Sequence, residues 1–490
     1  METDRPLTPP ISERFDLAAG LLGPGLTYRD FLQSAASPRR ESAWRSSPFF
    51  LQHGRALEHL LSTPVICPAV AAAVDSQTAS KIPSGAGSKA DRPVDDSTVV
   101  VKTSAAAGSR AVSEGSDNAG GAPPGGAFDE SRVDNLDRAA GFPCLRVAHW
   151  NIEKGKALAG LQWALSQRPN LRESDVLLLN EVDVGMARSA NADTGRVLAQ
   201  THGGRLIFVP GYVECTKGLD DDLLAPGENL LGLHGLAIIT RLPVRDVAVT
   251  LLPGCFDYFG FREKRFGYRQ GLYALLEWDG QPLIVGTTHL EVRNTPRCRA
   301  RQFARFLEGL REVRSRWSRE APVIVSGDWN TNSFRRGSFT SAAREFVRIV
   351  RTPPAELDAE LVRPYRTEPL LRLLAPEGLE LEPFNDRSPT AHQDLGTVED
   401  LASLPPALGA ALVRRCGLQG RVLGMRLDWI AASRLRAAAP PWTETGLIFD
   451  GRRVSDHAPI GVTLTRPEPE PEPEREPERE PEPDLPLDRA

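Results

Sequence analysis

The chain has 490 residues, 41% of them hydrophobic, with 41 prolines, 42 glycines and a formal net charge of −5. Length alone would allow two or three domains, but this much Pro and Gly excludes a chain packed from end to end. The charge is uneven: residues 466–490 hold ten acidic and four basic side chains, a net −6, leaving +1 on the rest. A near-neutral body excludes nucleic-acid binding driven by overall charge and leaves room only for a local basic patch.

The opening Met-Glu-Thr-Asp-Arg-Pro lacks the basic and apolar regions of a signal peptide, and no window of 18 apolar residues follows. Six cysteines (Cys67, Cys144, Cys215, Cys255, Cys298 and Cys416) lie far apart without a CxxC pair. That spacing suits neither a zinc site nor a disulfide framework, so buried, reduced thiols in a cytoplasmic protein without a transmembrane segment are expected.

Residues 1–75 carry apolar clusters at 17–22, 31–32, 49–51 and 57–61 between prolines and charges. Short helices are predicted there; whether they dock on anything is open. Residues 76–141 are rich in Ser, Ala, Gly, Asp and Pro. They bury too little apolar surface to offset chain entropy, which predicts a disordered linker.

From 142 to 465 the pattern changes. Apolar β-like runs stand at 145–149, 175–179, 206–209, 236–239, 244–252, 272–276, 283–287, 323–325, 427–431 and 460–464. A helix is predicted to open at Pro296, with Ala300, Phe303, Phe306, Leu307, Leu310, Val313 and Trp317 on one stripe. Its other face, with Arg299, Arg301, Arg305, Arg311 and Arg316, is expected to be solvated. Many short strands with fewer helices predict sheet-on-sheet packing with helices outside. The tail, 466–490, repeats Pro-Glu. Frequent prolines deny it helix and sheet, so it is read as a disordered solubilising extension or a docking segment for a protein partner.

Polar residues suited to metal and phosphate chemistry sit where these apolar runs end, where strand ends and loops converge on clefts. They are Asn151 and Glu153 after 145–149, Glu181 after 175–179, and His289 after 283–287. Asp328 and Asn330 lie in Gly-Asp-Trp-Asn at 327–330. Asp428 lies in Arg-Leu-Asp-Trp-Ile at 426–430, and Asp456 and His457 in Ser-Asp-His-Ala-Pro at 455–459. A single carboxylate at a strand end is more often a cap or turn residue, and a lone His such as His234 or His392 is more often a satisfied group than a functional one.

The ordered set is more specific. Over 145–464 it resembles the endonuclease/exonuclease/phosphatase superfamily, most closely through Gly-Asp-Trp-Asn and Ser-Asp-His-Ala-Pro. That resemblance implies an α/β (α+β) fold, a four-layer α/β/β/α sandwich with two central mixed β-sheets. It implies Glu181 as principal metal ligand, with Asn151, Glu153 and Asp456 beside the ion. Mg²⁺ is the expected cation, with Mn²⁺ as alternative, since hard cations prefer oxygen ligands. It implies Asp328 as the group that orients or deprotonates the attacking water, and Asn330 as a donor to the phosphate. His457 would contact a non-bridging oxygen, Asp428 would orient His457, and His289 matches a second histidine of the nuclease and sphingomyelinase branches.

The substrate implied is a phosphoester: nucleic acid, a phospholipid headgroup or a small phosphodiester. Thr-Thr-His-Leu-Glu at 287–291 and Arg-Leu-Asp-Trp-Ile at 426–430 favour the nuclease- and sphingomyelinase-like branch over abasic-site repair and phosphoinositide enzymes. Basic and aromatic residues alternate through 256–268 (Tyr258, Phe259, Phe261, Arg262, Lys264, Arg265, Phe266). They could grip phosphate and base, or cover the sandwich edge. A proline-punctuated stretch between Asn330 and Leu427 is expected to supply a loop over the site. Against a phosphodiesterase stand two alternatives, a phosphomonoesterase of the same fold and a non-catalytic scaffold binding a phospho-ligand.

Overall fold

The apolar runs form strands, and alternate residues of each strand serve two different cores. In this computed structural model, which describes residues 21–23, 26–67, 143–293, 295–333, 344, 347–394, 411, 414–417 and 420–467, all ten predicted strands are present. Val176 and Leu178 pack between two sheets, whereas Leu177 and Leu179 pack against helices on the outside. Burial on both faces is why such runs read as continuously apolar rather than alternating.

One sheet is nine-stranded. Along its length run Arg436–Ala437, Ile460–Thr465, Leu145–Asn151, Val176–Val184, Leu233–Thr240, Arg205–Glu214 and Val65–Cys67. Trp442–Thr443 and Arg265–Gly267 pair at its margins. The other sheet, five-stranded, runs Asp428–Ser433, Val323–Asp328, Gln281–Thr288, Gln270–Trp278 and Val244–Leu251. Each is mixed, with one parallel pair: Leu145–Asn151 with Val176–Val184, and Gln281–Thr288 with Val323–Asp328. Val147, Leu178, Ile207 and Ile238 of the first sheet meet Leu272, Leu283, Val285, Ile324 and Ile430 of the second in the central core.

Helices close the outer faces. Leu158–Gln167 and Thr194–His202 cover the nine-stranded sheet through Leu161, Leu165 and Leu198. Helix Pro296–Trp317, capped by the Thr295 side chain, covers the five-stranded sheet through Phe303, Phe306, Leu310 and Val313. The expected four-layer sandwich is therefore what the chain builds. The linker at 76–141 and tail residues 468–490 lie outside the described residues.

Two expectations are corrected. Arg299 is not on a solvated face: it is fully buried and pairs with Glu368, whose carboxylate also accepts from the Ser333 amide. Its helix runs beneath the 364–374 stretch, which covers only that side, while Arg301, Arg311 and Arg316 stay exposed. The cysteines are not all reduced: Cys255 and Cys298 form a disulfide with a Cα–Cα distance of 6.2 Å. Their separation of 43 residues carries no spacing signal; the loop after Val244–Leu251 brings Cys255 over the first turn of helix Pro296–Trp317.

Residues 26–67, whose docking the sequence left open, pack on the sandwich. Val65–Cys67 joins the nine-stranded sheet at the edge of Arg205–Glu214. Trp44, fully buried, packs its ring against Phe259 at 5.1 Å and Phe266 at 4.9 Å. Among the described residues no helix is long and apolar enough to cross a membrane.

Candidate active site

Both sheets deliver polar residues to the same edge because their strands run past the apolar core and end there. Asn151 is the last residue of Leu145–Asn151 and Asp328 the last of Val323–Asp328; Asp428, opposite Asp328 in the ladder, is the first of Asp428–Ser433. Glu181 sits inside Val176–Val184, at φ +59°, where the register against Leu233–Thr240 shifts between Leu179 and Val182. That left-handed bulge costs conformational energy and turns the carboxylate out of the pleat toward the cavity, a device common beside functional sites.

Asn180 fixes the two sheets to each other. Its Nδ2 donates to Thr287 Oγ1 at 3.2 Å and its Oδ1 accepts from the Asp328 amide at 2.7 Å. Beside it, Gly327 is demanded by close approach: a Cβ there would collide with the Thr288 carbonyl oxygen.

A cavity of about 270 Å³ opens at this edge, lined on one side by Glu181, Asp328, Asn330, Asp456, His457 and His289. Asp328 Oδ1 accepts from the Asn330 amide at 2.9 Å, and Oδ2 from Asn151 Nδ2 at 3.1 Å. His289 Nε2 lies 3.4 Å and His457 Nε2 3.8 Å from Asp328 Oδ2. Behind His457, Asp428 Oδ2 accepts from Nδ1 at 2.7 Å, while Asp428 Oδ1 lies 3.0 Å from His149 Nε2. Asp428 thus stands between two imidazoles.

The charges follow from these contacts. Burial pushes Asp328 up, and Asp428 adds to it against the opposing pull of His457, taking the carboxyl from 3.8 to about 7. Burial also opposes ionisation of Asp428, but His457 and the His149 hydrogen bond outweigh it and hold Asp428 below its usual range. His457 is pushed down by burial and more strongly up by Asp428 and Asp328, so it stays protonated well above the usual imidazole range. Burial, with Arg269 and His234, keeps His289 well below that range and neutral.

Two groups of residues could hold a metal. Asp328, Asp428 and His457 place one ligand atom each within 4.8 Å of one another. Their lone pairs are already engaged, because both Asp428 oxygens face histidines and His457 Nδ1 faces Asp428. The second group is all oxygen: Glu181, Asp456, Glu153 and Asn151. Burial raises Asp456 to about 6, with His457 opposing and Glu153 and Glu181 adding to the rise. Burial opposes ionisation of Glu181, but Lys154, His234 and His457 outweigh it and hold that carboxyl below its usual range; an all-oxygen set of this kind fits a hard divalent ion.

All nine site residues expected from the sequence stand at this edge. Asn330 differs in detail: its Nδ2 donates to the Leu290 carbonyl at 2.9 Å, leaving one hydrogen of that amide toward the cavity. Glu153 is half-buried, pairing with Lys156 at 3.1 Å and accepting from the amide of Asp456, the most exposed of the nine, at 3.0 Å. The stretch after Asn330 does reach the site, through Ala391, His392, Gln393 and Met425.

Other residues had no signal in sequence. His149 and Asn180 lie in apolar runs, with nothing to mark them as more than core. His234, read as a satisfied group, donates from Nδ1 to the Asp183 carboxylate at 2.7 Å and lines the cavity. Lys154, Tyr258, Arg265 and Arg269 line it too. The alternation through 256–268 was visible, but not that it divides its residues: Tyr258 and Arg265 face the cavity, while Phe259, Lys264 and Phe266 face residues 26–67.

The Endonuclease/Exonuclease/phosphatase family model matches residues 148–457. No curated protein matches. Solved structures similar to this one include the human Nocturnin catalytic domain with bound sulfate anion (18% identity, 66% of this chain and 96% of that one, TM-score 0.39). They also include D. rerio TDP2 complexed with single strand DNA product (18%, 66% and 99%, TM-score 0.34). A third is an endonuclease/exonuclease/phosphatase from Beutenbergia cavernae DSM 12333 (17%, 66% and 72%, TM-score 0.38).

Proposed function

This chain belongs to the endonuclease/exonuclease/phosphatase family, and we propose that it is a Mg²⁺-dependent phosphodiesterase that directs an activated water in line against its substrate. Members of that family are generally metal-dependent phosphoester hydrolases. The observation that carries the finer reading is Asp328, a buried carboxyl raised to about 7, facing His457 and His289 beside an all-oxygen cluster.

Glu181, with Asn151, Glu153 and Asp456, would hold the divalent cation; Mg²⁺ suits these ligands, and Mn²⁺ would serve. When bound, such a cation neutralises the charge that develops on phosphoryl and leaving oxygens. Asp328 takes the proton of the attacking water, since a base near neutrality combines availability with driving force. His289, neutral and adjacent, orients that water. His457 donates from Nε2 to a non-bridging oxygen, and its positive charge is kept by Asp428, which His149 in turn holds in place. Asn330 gives its remaining amide hydrogen to the phosphate.

The test is hydrolysis of bis(p-nitrophenyl) phosphate and p-nitrophenyl phosphate with Mg²⁺, Mn²⁺ or EDTA, wild type against Asp328→Ala. EDTA-sensitive cleavage of the diester by wild type alone is expected. Cleavage of the monoester alone would make the chain a phosphatase, and no turnover of either, with phosphate still bound, would favour the scaffold.

A further inference from the structure

Beside the acidic residues the cavity is also lined by Arg265, Arg269 and Glu263, and the two guanidiniums are incompletely hydrogen-bonded. Arg269 is 8% exposed and lines the cavity. A guanidinium carries five N–H donors, and none of those of Arg269 has a hydrogen-bond partner among the described residues; its Nε is buried without one. Its nearest counter-charge, Glu291 Oε2, lies 3.9 Å from that Nε. Glu291 Oε1 already accepts from the Tyr258 hydroxyl at 2.6 Å and from the Arg293 amide at 2.9 Å. Arg265, 6% exposed, makes one hydrogen bond, to Glu214 at 3.3 Å, and its Nε also lacks a partner. Its guanidinium lies over Tyr258 at 3.8 Å and Tyr212 at 4.4 Å; Arg269 lies 5.8 Å from the same Tyr212 ring. Buried charges are ordinarily paired and hydrogen-bonded, because an unpaired one is costly.

These arginines are also held in place. They alternate along one extended segment with Lys264, Phe266, Tyr268 and Gln270, which all turn the other way, onto residues 26–67. Lys264 donates to the carbonyls of Ala35 and Pro38, Phe266 meets Trp44 and Phe50, Tyr268 pairs with Arg45, and Gln270 donates to the Leu61 carbonyl. A braced segment presenting donors without partners is preorganised for a ligand that is not protein.

We propose that Arg265 and Arg269 form a second anion subsite beside the hydrolytic centre, so that the preferred substrates are phosphoesters bearing a second phosphate near the one that is cut. This rests on the phosphodiesterase reading for its context. Guanidinium forks match carboxylate and phosphate alike, but a terminal phosphate brings three strong acceptor oxygens to the open donors of two arginines, where a carboxylate brings two. The segment 26–67 then acts as a specificity brace through the backs of the same residues.

The test uses the full chain in three measurements. In EDTA, calorimetric binding of inorganic phosphate is expected for wild type and Asp328→Asn, and weaker by about tenfold or more in Arg269→Gln and Arg265→Gln, the size expected for losing a charge-assisted pair. Equal binding by Arg269→Gln would overturn the proposal. Thermal unfolding without phosphate separates a ligand-binding from a structural arginine: Arg269→Gln is expected to unfold at the same or higher temperature, and a lower one would make Arg269 structural and overturn the proposal. Finally, wild type is expected to cleave a 5′-phosphorylated thymidine dinucleotide with a kcat/KM about tenfold or more above that for the unphosphorylated one, a ratio that collapses in Arg269→Gln. Equal use of the two by wild type would overturn the subsite. Failure to cleave either dinucleotide or bis(p-nitrophenyl) phosphate, with Arg269-dependent phosphate binding intact, would sink the hydrolase reading and leave the anion site standing.

Discussion

The two walls of the cavity solve opposite problems. On the acidic wall the polar groups partner one another: Asp328 with Asn151 and Asn330, Asp428 with two histidines, Asp456 with Glu153. There, of these groups, only His149 Nδ1 is buried without a partner. On the arginine wall most guanidinium donors are left open, Arg265 making a single hydrogen bond and Arg269 none among the described residues, and order comes from packing behind them, against Trp44 and the helices of residues 26–67. Groups that react must be fixed before substrate arrives, so they are held by their own hydrogen bonds. Groups that bind an anion must keep donors free, so they are held by their backs.

The comparison can be broken most forcefully at the brace. Trp44→Ala removes a fully buried indole from the Phe259 and Phe266 contacts, and a loss of about 3–5 kcal/mol in unfolding free energy is expected from denaturant titration. A loss below about 1 kcal/mol, the scale of an exposed site, would mean that residues 26–67 do not hold the arginine wall.

Next comes the reacting wall itself. Asp328→Ala or His457→Ala should lower kcat on bis(p-nitrophenyl) phosphate by roughly a hundredfold to a thousandfold while far-UV circular dichroism stays unchanged. Retention of more than about a tenth of the activity by either would contradict the roles given them. His149→Leu leaves one Asp428 oxygen buried and unpaired, a defect of about 1–3 kcal/mol. It should lower kcat more than it changes KM and shift the pH profile, and His149→Gln, which restores a donor, should recover most of the loss.

A smaller effect tests where the cation sits. Folding raises Asp328 from 3.8 to about 7 and Asp456 from 3.8 to about 6. Both folded values lie above the unfolded ones, so these groups favour the metal-free fold at low pH, and that contribution is lost as pH rises from about 4 through 6–7. A cation held by Glu181, Asn151, Glu153 and Asp456 has to displace the Asp456 proton, so the gain in unfolding temperature on adding Mg²⁺ should grow between about pH 5 and pH 7. A flat or falling gain would place the ion away from these carboxylates. Least of all, Arg305→Ala breaks exposed pairs with Glu308 and Glu312 on the outer helix and should change stability by less than about 1 kcal/mol in the same titration.

The acidic wall was largely legible because its residues sit in contiguous motifs at strand ends: Asn151, Asp328, Asn330, Asp456 and His457 each follow or precede an apolar run within a few positions. The arginine wall was half legible. Basic and aromatic residues alternating through 256–268 marked a special segment, yet nothing local says which face meets solvent and which meets residues 26–67, 200 positions upstream. Arg299 misled for the same reason: an arginine on the polar face of a helix reads as solvated until a later stretch folds over it.

What the sequence determined by itself is therefore the sandwich and the set of polar groups gathered at its edge, since apolar runs of strand length and motif residues at their ends are short-range properties. Only the tertiary structure decided the pairing of His149 and His457 on Asp428, the Cys255–Cys298 bridge, and the open donors of Arg265 and Arg269. Each of these depends on whether a distant segment supplies or withholds a partner, and the free energy of a buried polar group turns on that partner rather than on its neighbours in the chain.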